Sequence, residues 1–130
     1  MEWVVTSGVI ATLVKESAAS LPCEACGLLL GRAGRIESAV PAANLAADPL
    51  RTFEIDPAVL FAAHRAARAG GPLLAGYYHS HPTGVAAPSP CDRRQAPGDG
   101  RIWAIVADGR IGWWRDIGGD FAEIAVQITQ

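Results

Sequence analysis

Two histidines one residue apart, His79 and His81, stand at the end of an apolar run, Leu73-Leu74-Ala75-Gly76-Tyr77-Tyr78. The run reads as a buried strand. Side chains on a strand repeat every second residue, so both imidazoles point to one face. Pro82 offers no ladder N–H, and Pro82-Thr83-Gly84 ends the strand. Ser89 follows after seven residues and Asp92 after two more, a loop long enough to fold the carboxylate back beside the imidazoles. Two neutral imidazoles and one carboxylate make a three-ligand zinc site with its fourth position open. An open position is what hydrolytic zinc requires, because water there ionises near neutral pH. Hydrolysis also needs a base. The upstream candidate is Glu24, between Cys23 and the run Leu28-Leu29-Leu30, where an unpaired carboxylate is costly to bury.

These residues need a scaffold. Trp3-Val4-Val5 reads as a short first strand, and Ser7 as the cap of a helix carrying Val9, Ile10, Leu13, Val14 and Ala18 inward. Leu21-Pro22 ends that helix, because the residue before proline is pushed out of the helical region. Glu24 then precedes a strand over 27–31, which turns at Gly31–Arg35 into a return strand over 36–44. Arg51–Ile55 reads as another strand. Asp56 caps a second helix with Pro57 in its first turn; Val59, Leu60, Ala63 and Ala67 face inward and Gly70-Gly71 stops it. Ser89-Pro90-Cys91-Asp92 has the form of a helix cap with Asp92 at the third helical position, so Ser89 also has a structural use in pinning the loop. Strands over 101–107, 110–116 and 121–129 close the chain, with turns at Asp108-Gly109 and Gly118-Gly119. The pattern is a single α/β domain over residues 1–130, with a mixed sheet flanked by helices.

Composition narrows the classes. A chain of 130 residues suits one domain and can bury roughly two thirds of its unfolded surface, enough for a core without staples. Net charge of −2 argues against a nucleic-acid groove. No apolar run reaches the ~18 residues of a membrane span, and Met1-Glu2-Trp3 does not begin a secretory signal. Three cysteines, an odd number, point to a reducing cytoplasm. Cys23 and Cys26 form a C-x-x-C that offers a rival: a closed structural zinc site of two cysteines with His79 and His81. That reading leaves Glu24, Ser89 and Asp92 idle, and Cys26 beside a strand start reads better as a small core hydrophobe. Cys91 neighbours Asp92 as an inert residue or an oxidisable one. Trp103, Trp113 and Trp114 on the terminal strands read as core, with exposure of either of the last two marking a partner surface.

Glu24, His79-Ser80-His81-Pro82, Ser89 and Asp92, in that order and spacing, resemble the signature of the JAMM metalloproteases, the zinc-dependent members of the MPN domain family. EACGLLLG, Asn44, RTFEIDP and GYYHSHP extend the resemblance over most of the chain. It implies a cytidine-deaminase-like MPN fold and one zinc per chain held by His79, His81 and Asp92. It makes Glu24 the general base and gives Ser89 to the attacking water or the oxyanion. Small prokaryotic relatives act on ubiquitin-like sulfur carriers, so the implied reaction is hydrolysis of a peptide or isopeptide bond after a carrier's C-terminal Gly-Gly. The implied partner is that carrier, its tail added to a sheet edge at Arg51–Ile55 or Ala39–Asn44. The segment after Asp92, Arg93-Arg94-Gln95-Ala96-Pro97, is shorter than the helix many relatives have there. The alternative within the family is a non-catalytic MPN scaffold that binds partners; such members lack part of the signature, and this chain has all of it.

Overall fold

A computed structural model describes residues 3–130. The elements run β1 (Trp3–Thr6), α1 (Ser7–Ser20), β2 (Cys26–Arg32), β3 (Arg35–Ala42), α2 (Pro57–Arg68), β4 (Leu73–Ser80), α3 (Pro90–Gln95), β5 (Ile102–Ala107), β6 (Arg110–Asp116), β7 (Phe121–Glu123) and β8 (Val126–Thr129). All strands join one mixed sheet in the order β7-β6-β5-β4-β2-β3-β1-β8. β4 lies at its centre, antiparallel to β2 and parallel to β5. A strand buried on both faces needs apolar residues throughout, which is how Leu74–Tyr78 reads. The expected mixed sheet with flanking helices is the fold observed.

The last strand departs from expectation. The stretch 121–129 is two strands, β7 beside β6 and β8 parallel to β1, at opposite edges of the sheet. Only Ile124 and Ala125 connect them. A connection that short spans roughly 10 Å, so the sheet must curl until its edges nearly meet. Ile124 N–H donates to Trp113 O on one side and Trp3 N–H to Ala125 O on the other, which fastens the two edges.

Two further expectations shift. Arg51–Ile55 forms no strand; an isolated bridge, Asn44 to Ile55, is what remains of the pairing. The cap of α1 is Thr6, without a side-chain hydrogen bond, and not Ser7. Along α1, Val9 and Leu13 are fully buried while Val14 and Ala18 lie exposed. The helix crosses the curved sheet on one narrow stripe, so a residue one position round from Leu13 already faces solvent. α2 follows its sequence signals: Asp56 accepts from Ala58 N–H at 3.0 Å, Pro57 opens the helix, and Gly70 takes a φ of 93° just past its end. Asp108 and Gly109 both have positive φ, the twist a two-residue hairpin needs.

The core has two parts, one on each side of the sheet. One gathers Val5, Val9, Leu13, Leu29, Ile36, Tyr78 and Trp113 under α1. The other gathers Leu28, Phe53, Ala63, Trp103 and Phe121 under α2. Cys26 and His79, paired across β2 and β4, lie at the sheet's end beside the second.

Candidate metal centre

β4 delivers His79, fully buried, and the chain leaving it delivers His81. The His81 backbone N–H donates to Val106 O at 2.8 Å, which extends the β4–β5 pairing by one residue and anchors the second imidazole. α3 delivers Asp92. Ser89 is its N-cap, with a reciprocal capping box: Asp92 N–H donates to Ser89 Oγ at 3.0 Å, and Ser89 N–H donates to Asp92 Oδ2 at 2.9 Å. The cap both starts the helix and orients the carboxylate. Trp114 Nε1 donates to Ala86 O at 3.2 Å, and Gly112 lets the Ala86 backbone pack directly on β6. The loop between the histidines and the aspartate is thereby held against the terminal strands.

Three side chains converge. His79 Nε2 and His81 Nε2 lie 3.1 Å apart; His79 Nε2 is 3.0 Å from Asp92 Oδ1, and His81 Nε2 is 3.1 Å from Asp92 Oδ2. Val85 O can only accept, so His81 Nδ1 carries the proton of their 2.8 Å contact, and a neutral His81 presents its lone pair at Nε2. In their neutral forms, lone pairs gathered at such range repel unless a proton or a metal cation lies among them. Four ligands at about 2.0–2.1 Å in a tetrahedron stand about 3.3 Å apart, close to the spacings found. His79, His81 and Asp92 therefore form a group that could hold a metal ion, and among the described residues it is the group of that kind. Phe53 stacks on the His79 ring at 4.3 Å and Trp103 meets its edge at 5.5 Å, which fixes the ring plane.

The two imidazoles differ in their electrostatics: burial opposes charge on His81, yet its contacts with the Asp92 carboxylate and Val85 O raise its pKa. Burial drives the His79 pKa down, favouring the neutral ligand form. Burial also opposes charge on Asp92, yet its hydrogen bonds to both histidines and the Ser89 N–H hold its carboxyl well below the usual range. Glu24 is 6% exposed, and its Oε1 has no hydrogen-bond partner. Burial pushes its carboxyl up to about 7, with His81 pulling it back and Asp92 adding a smaller push. It shares one cleft of about 420 Å³ with His81 and Ser89, walled by Leu50 and Arg51 on one side and by Val85, Ala87 and Pro88 on the other. A buried orphan carboxylate beside such a trio fits a metal with a reactive water.

The raised pKa has a consequence for metal-free protein. The folded pKa lies above the unfolded one, so the native state binds more protons between about pH 4.5 and 7. Its stabilising contribution is complete below that window and is lost as pH rises through it. Glu24→Gln carries no charge to bury. Its melting temperature, measured without metal, should gain on wild type as pH rises from 5 to 8; a constant difference would mean that the carboxylate is not buried as charge.

The cysteines do not join the trio. Cys26 is buried, and its Sγ lies 3.7 Å from both Ala42 O and Ala43 O. Burial, with Glu24 adding to it, pushes its thiol up to about 11, so it stays protonated. Cys91 Sγ sits 3.5 Å from Thr52 Oγ1. Trp113 is buried and Trp114 half-buried, as core positions. Sequence reasoning overlooked Phe53 and Trp103 as the walls of His79, Trp114 as a loop anchor, and Ser80. An aromatic spaced along a strand carries no signal that distinguishes core from site.

A curled mixed sheet with a His-His-Asp trio at the end of its central strand, and a carboxylate beside it, defines a domain of the JAMM/MPN class. The chain belongs to the family of prokaryotic homologs of the JAB domain, whose pattern matches residues 6–116. It is 34% identical over 110 residues to the desampylase of Haloferax volcanii, covering 82% of this chain and 79% of that one. It is 39% identical over 88 residues to a Thermus thermophilus protein named a probable TtuB-protein conjugate cleaving protease, covering 65% and 59%. The solution structure of a protein from Desulfitobacterium hafniense superposes with a TM-score of 0.85 at 26% identity, over 98% of this chain and 92% of that one. A JAB1/MPN domain protein from Archaeoglobus fulgidus shares the fold (TM-score 0.63, 19% identity, 97% and 98% covered). So does a structure described as a metalloprotease-like JAMM zinc site of the proteasome and signalosome (0.61, 17%, 98% and 99%).

Proposed function

We propose that this protein is a zinc-dependent peptidase or isopeptidase that cuts after the C-terminal Gly-Gly of a ubiquitin-like, sulfur-carrier-type protein. The observation that carries the chemistry is the buried Glu24 carboxylate, its Oε1 unpartnered, in the same cleft as His81 and Ser89. The relatives named for desampylation and for cleaving TtuB conjugates support the substrate class.

One zinc per chain would be held by His79, His81 and Asp92. When bound it supplies Lewis acidity, which makes water reactive near neutral pH and polarises a carbonyl. The protein's own groups do the rest. Glu24, poised near neutrality by its burial, takes a proton from the attacking water and passes it to the leaving amine. Ser89 Oγ accepts from Asp92 N–H, which leaves its own O–H free to donate to the developing oxyanion. Phe53 and Trp103 keep water from the far side of His79. A scaffold without catalysis has no use for an orphan carboxylate here, whose burial costs stability.

The substrate tail must run extended past the cleft. One free edge is β3 beyond Ile36, since β1 pairs only with Arg35 and Ile36. Backbone pairing there leaves side chains little freedom where the chain enters between Leu50–Arg51 and Val85–Pro88. Glycine at the last two tail positions meets that demand. Given a ubiquitin-like protein extended past its Gly-Gly, the zinc-loaded protein should release the extension. Changing the final Gly to Val should lower kcat/KM by about 10²-fold, the cost of roughly an ångström of misplacement, while changes beyond the cut cost far less. Product mass reports the bond cut. Indifference to the Gly→Val change, or equal cleavage of linked ubiquitin, would assign the site another substrate.

A further inference from the structure

The chain around Glu24 lies just before the first strand-paired residue of β2. β2 begins at Cys26, paired with His79. Continued two steps, that register sets Ala25 opposite Ser80 and Glu24 opposite His81. The register carries on through one backbone bond, from Ser80 N–H to Ala25 O, while the His81 N–H lies on the other edge of the strand and goes to Val106 O of β5. The return bond of this pair goes to the Ser80 side chain and not to its carbonyl. Ser80 N–H donates to Ala25 O at 3.0 Å, and Ser80 Oγ accepts from Ala25 N–H at 2.8 Å. Glu24 N–H donates to Pro49 O at 2.8 Å, and Glu24 O accepts from Asn44 Nδ2 at 3.0 Å. All four backbone groups of Glu24 and Ala25 thus end on tertiary partners, while the Glu24 Oε1 atom has none.

Asn44 is equally committed. Nδ2 also donates to Thr52 O, and Oδ1 accepts from Ala46 and Glu54 N–H, all at 3.0–3.1 Å. An amide has two donors and two good acceptor sites, and all are used. The segment it binds, Thr52–Glu54, carries Phe53 against His79. Asn44 therefore sets the base and one wall of the trio from a single side chain. Ser80 is 3% exposed and stands between the two histidines in sequence, so it ties the base to the strand that delivers both.

We infer that Ser80 and Asn44 are positioning residues for Glu24: they fix its backbone to the histidine strand so that its carboxylate alone stays free. The inference rests on the general-base reading of Glu24. A buried serine satisfied only for stability would give the same hydrogen bond, so the test must separate the two.

Ser80→Ala removes the acceptor, Ser80→Thr keeps it, and both are compared with wild type in the wild-type and Glu24→Gln backgrounds. Zinc content, amide exchange at Ala25 and the kinetics of release from a ubiquitin-like protein extended past Gly-Gly are followed. Ser80→Ala should keep its zinc, exchange the Ala25 proton about 10-fold faster, and lose about 10-fold or more in kcat at nearly constant KM. Ser80→Thr should restore both. In the Glu24→Gln background Ser80→Ala should cost less than about two-fold, because two residues acting as one unit are not additive. If Ser80→Ala does not fold, Ser80→Cys keeps the volume with a much weaker acceptor and gives the same comparison. Wild-type kcat after Ala25 loses its protection, or an equal loss in both backgrounds, overturns the inference. Wild-type turnover by Glu24→Gln instead overturns the general-base reading, a result distinct from failure of the clamp.

Discussion

Asp92→Ala and His81→Ala should each empty the metal site and abolish turnover. Asp92 is the one side chain that meets both imidazoles, at 3.0 and 3.1 Å, and it supplies the only negative charge of the trio. Without it two neutral imidazoles remain, a much weaker set for a divalent cation. The loss of Lewis acidity removes several kcal/mol of transition-state stabilisation, so the rate should fall by more than about 10³-fold, at about tenfold per 1.4 kcal/mol. Metal analysis after gel filtration, alongside turnover, measures both. Cys23→Ser and Cys26→Ser should retain about one zinc per chain, because the Cys26 thiol is buried, protonated and turned to the Ala42 and Ala43 carbonyls. If the cysteine variants lost the metal and Asp92→Ala kept it, a structural site of two cysteines and two histidines would be the correct reading.

Glu24→Gln should keep the metal and the fold and lose about 10²–10⁴ in turnover, the usual size of a general-base contribution. Glutamine matches the carboxylate in shape, so the four backbone hydrogen bonds at Glu24 and Ala25 are untouched. It cannot take a proton. The loss should appear in kcat, with substrate binding little changed, because a base acts in the transition state and not in the ground state. Single-turnover kinetics with equilibrium binding of the uncut substrate separates the two. Near wild-type turnover with full metal occupancy would remove Glu24 from the chemistry and leave the protein as a partner-binding domain.

What the sequence by itself determined is local or strictly spaced. The apolar run into His79-Ser80-His81 is β4, because an uninterrupted apolar stretch has no place but the centre of a sheet. Asp56-Pro57 and Ser89-Pro90 start α2 and α3, because caps act within one turn of the chain. The capping box even foretold how Asp92 would be held, since the contact spans three residues. The tertiary structure decided what depends on distant partners. Residues 121–129 read as one strand, yet curling of the sheet sends their halves to opposite edges, and no residue in that stretch encodes where the far edge lies. Arg51–Ile55 has strand-like residues, but its backbone groups are taken by Asp48, Asn44 and Leu45, and no neighbouring strand is there to pair with them. Ser80 looked like a spacer between two histidines. Its hydroxyl accepts the Ala25 N–H only because the fold sets the end of β4 opposite the residues that precede β2. A spacing can announce which residues meet; where their backbones are fastened is set by pairings across the whole sheet.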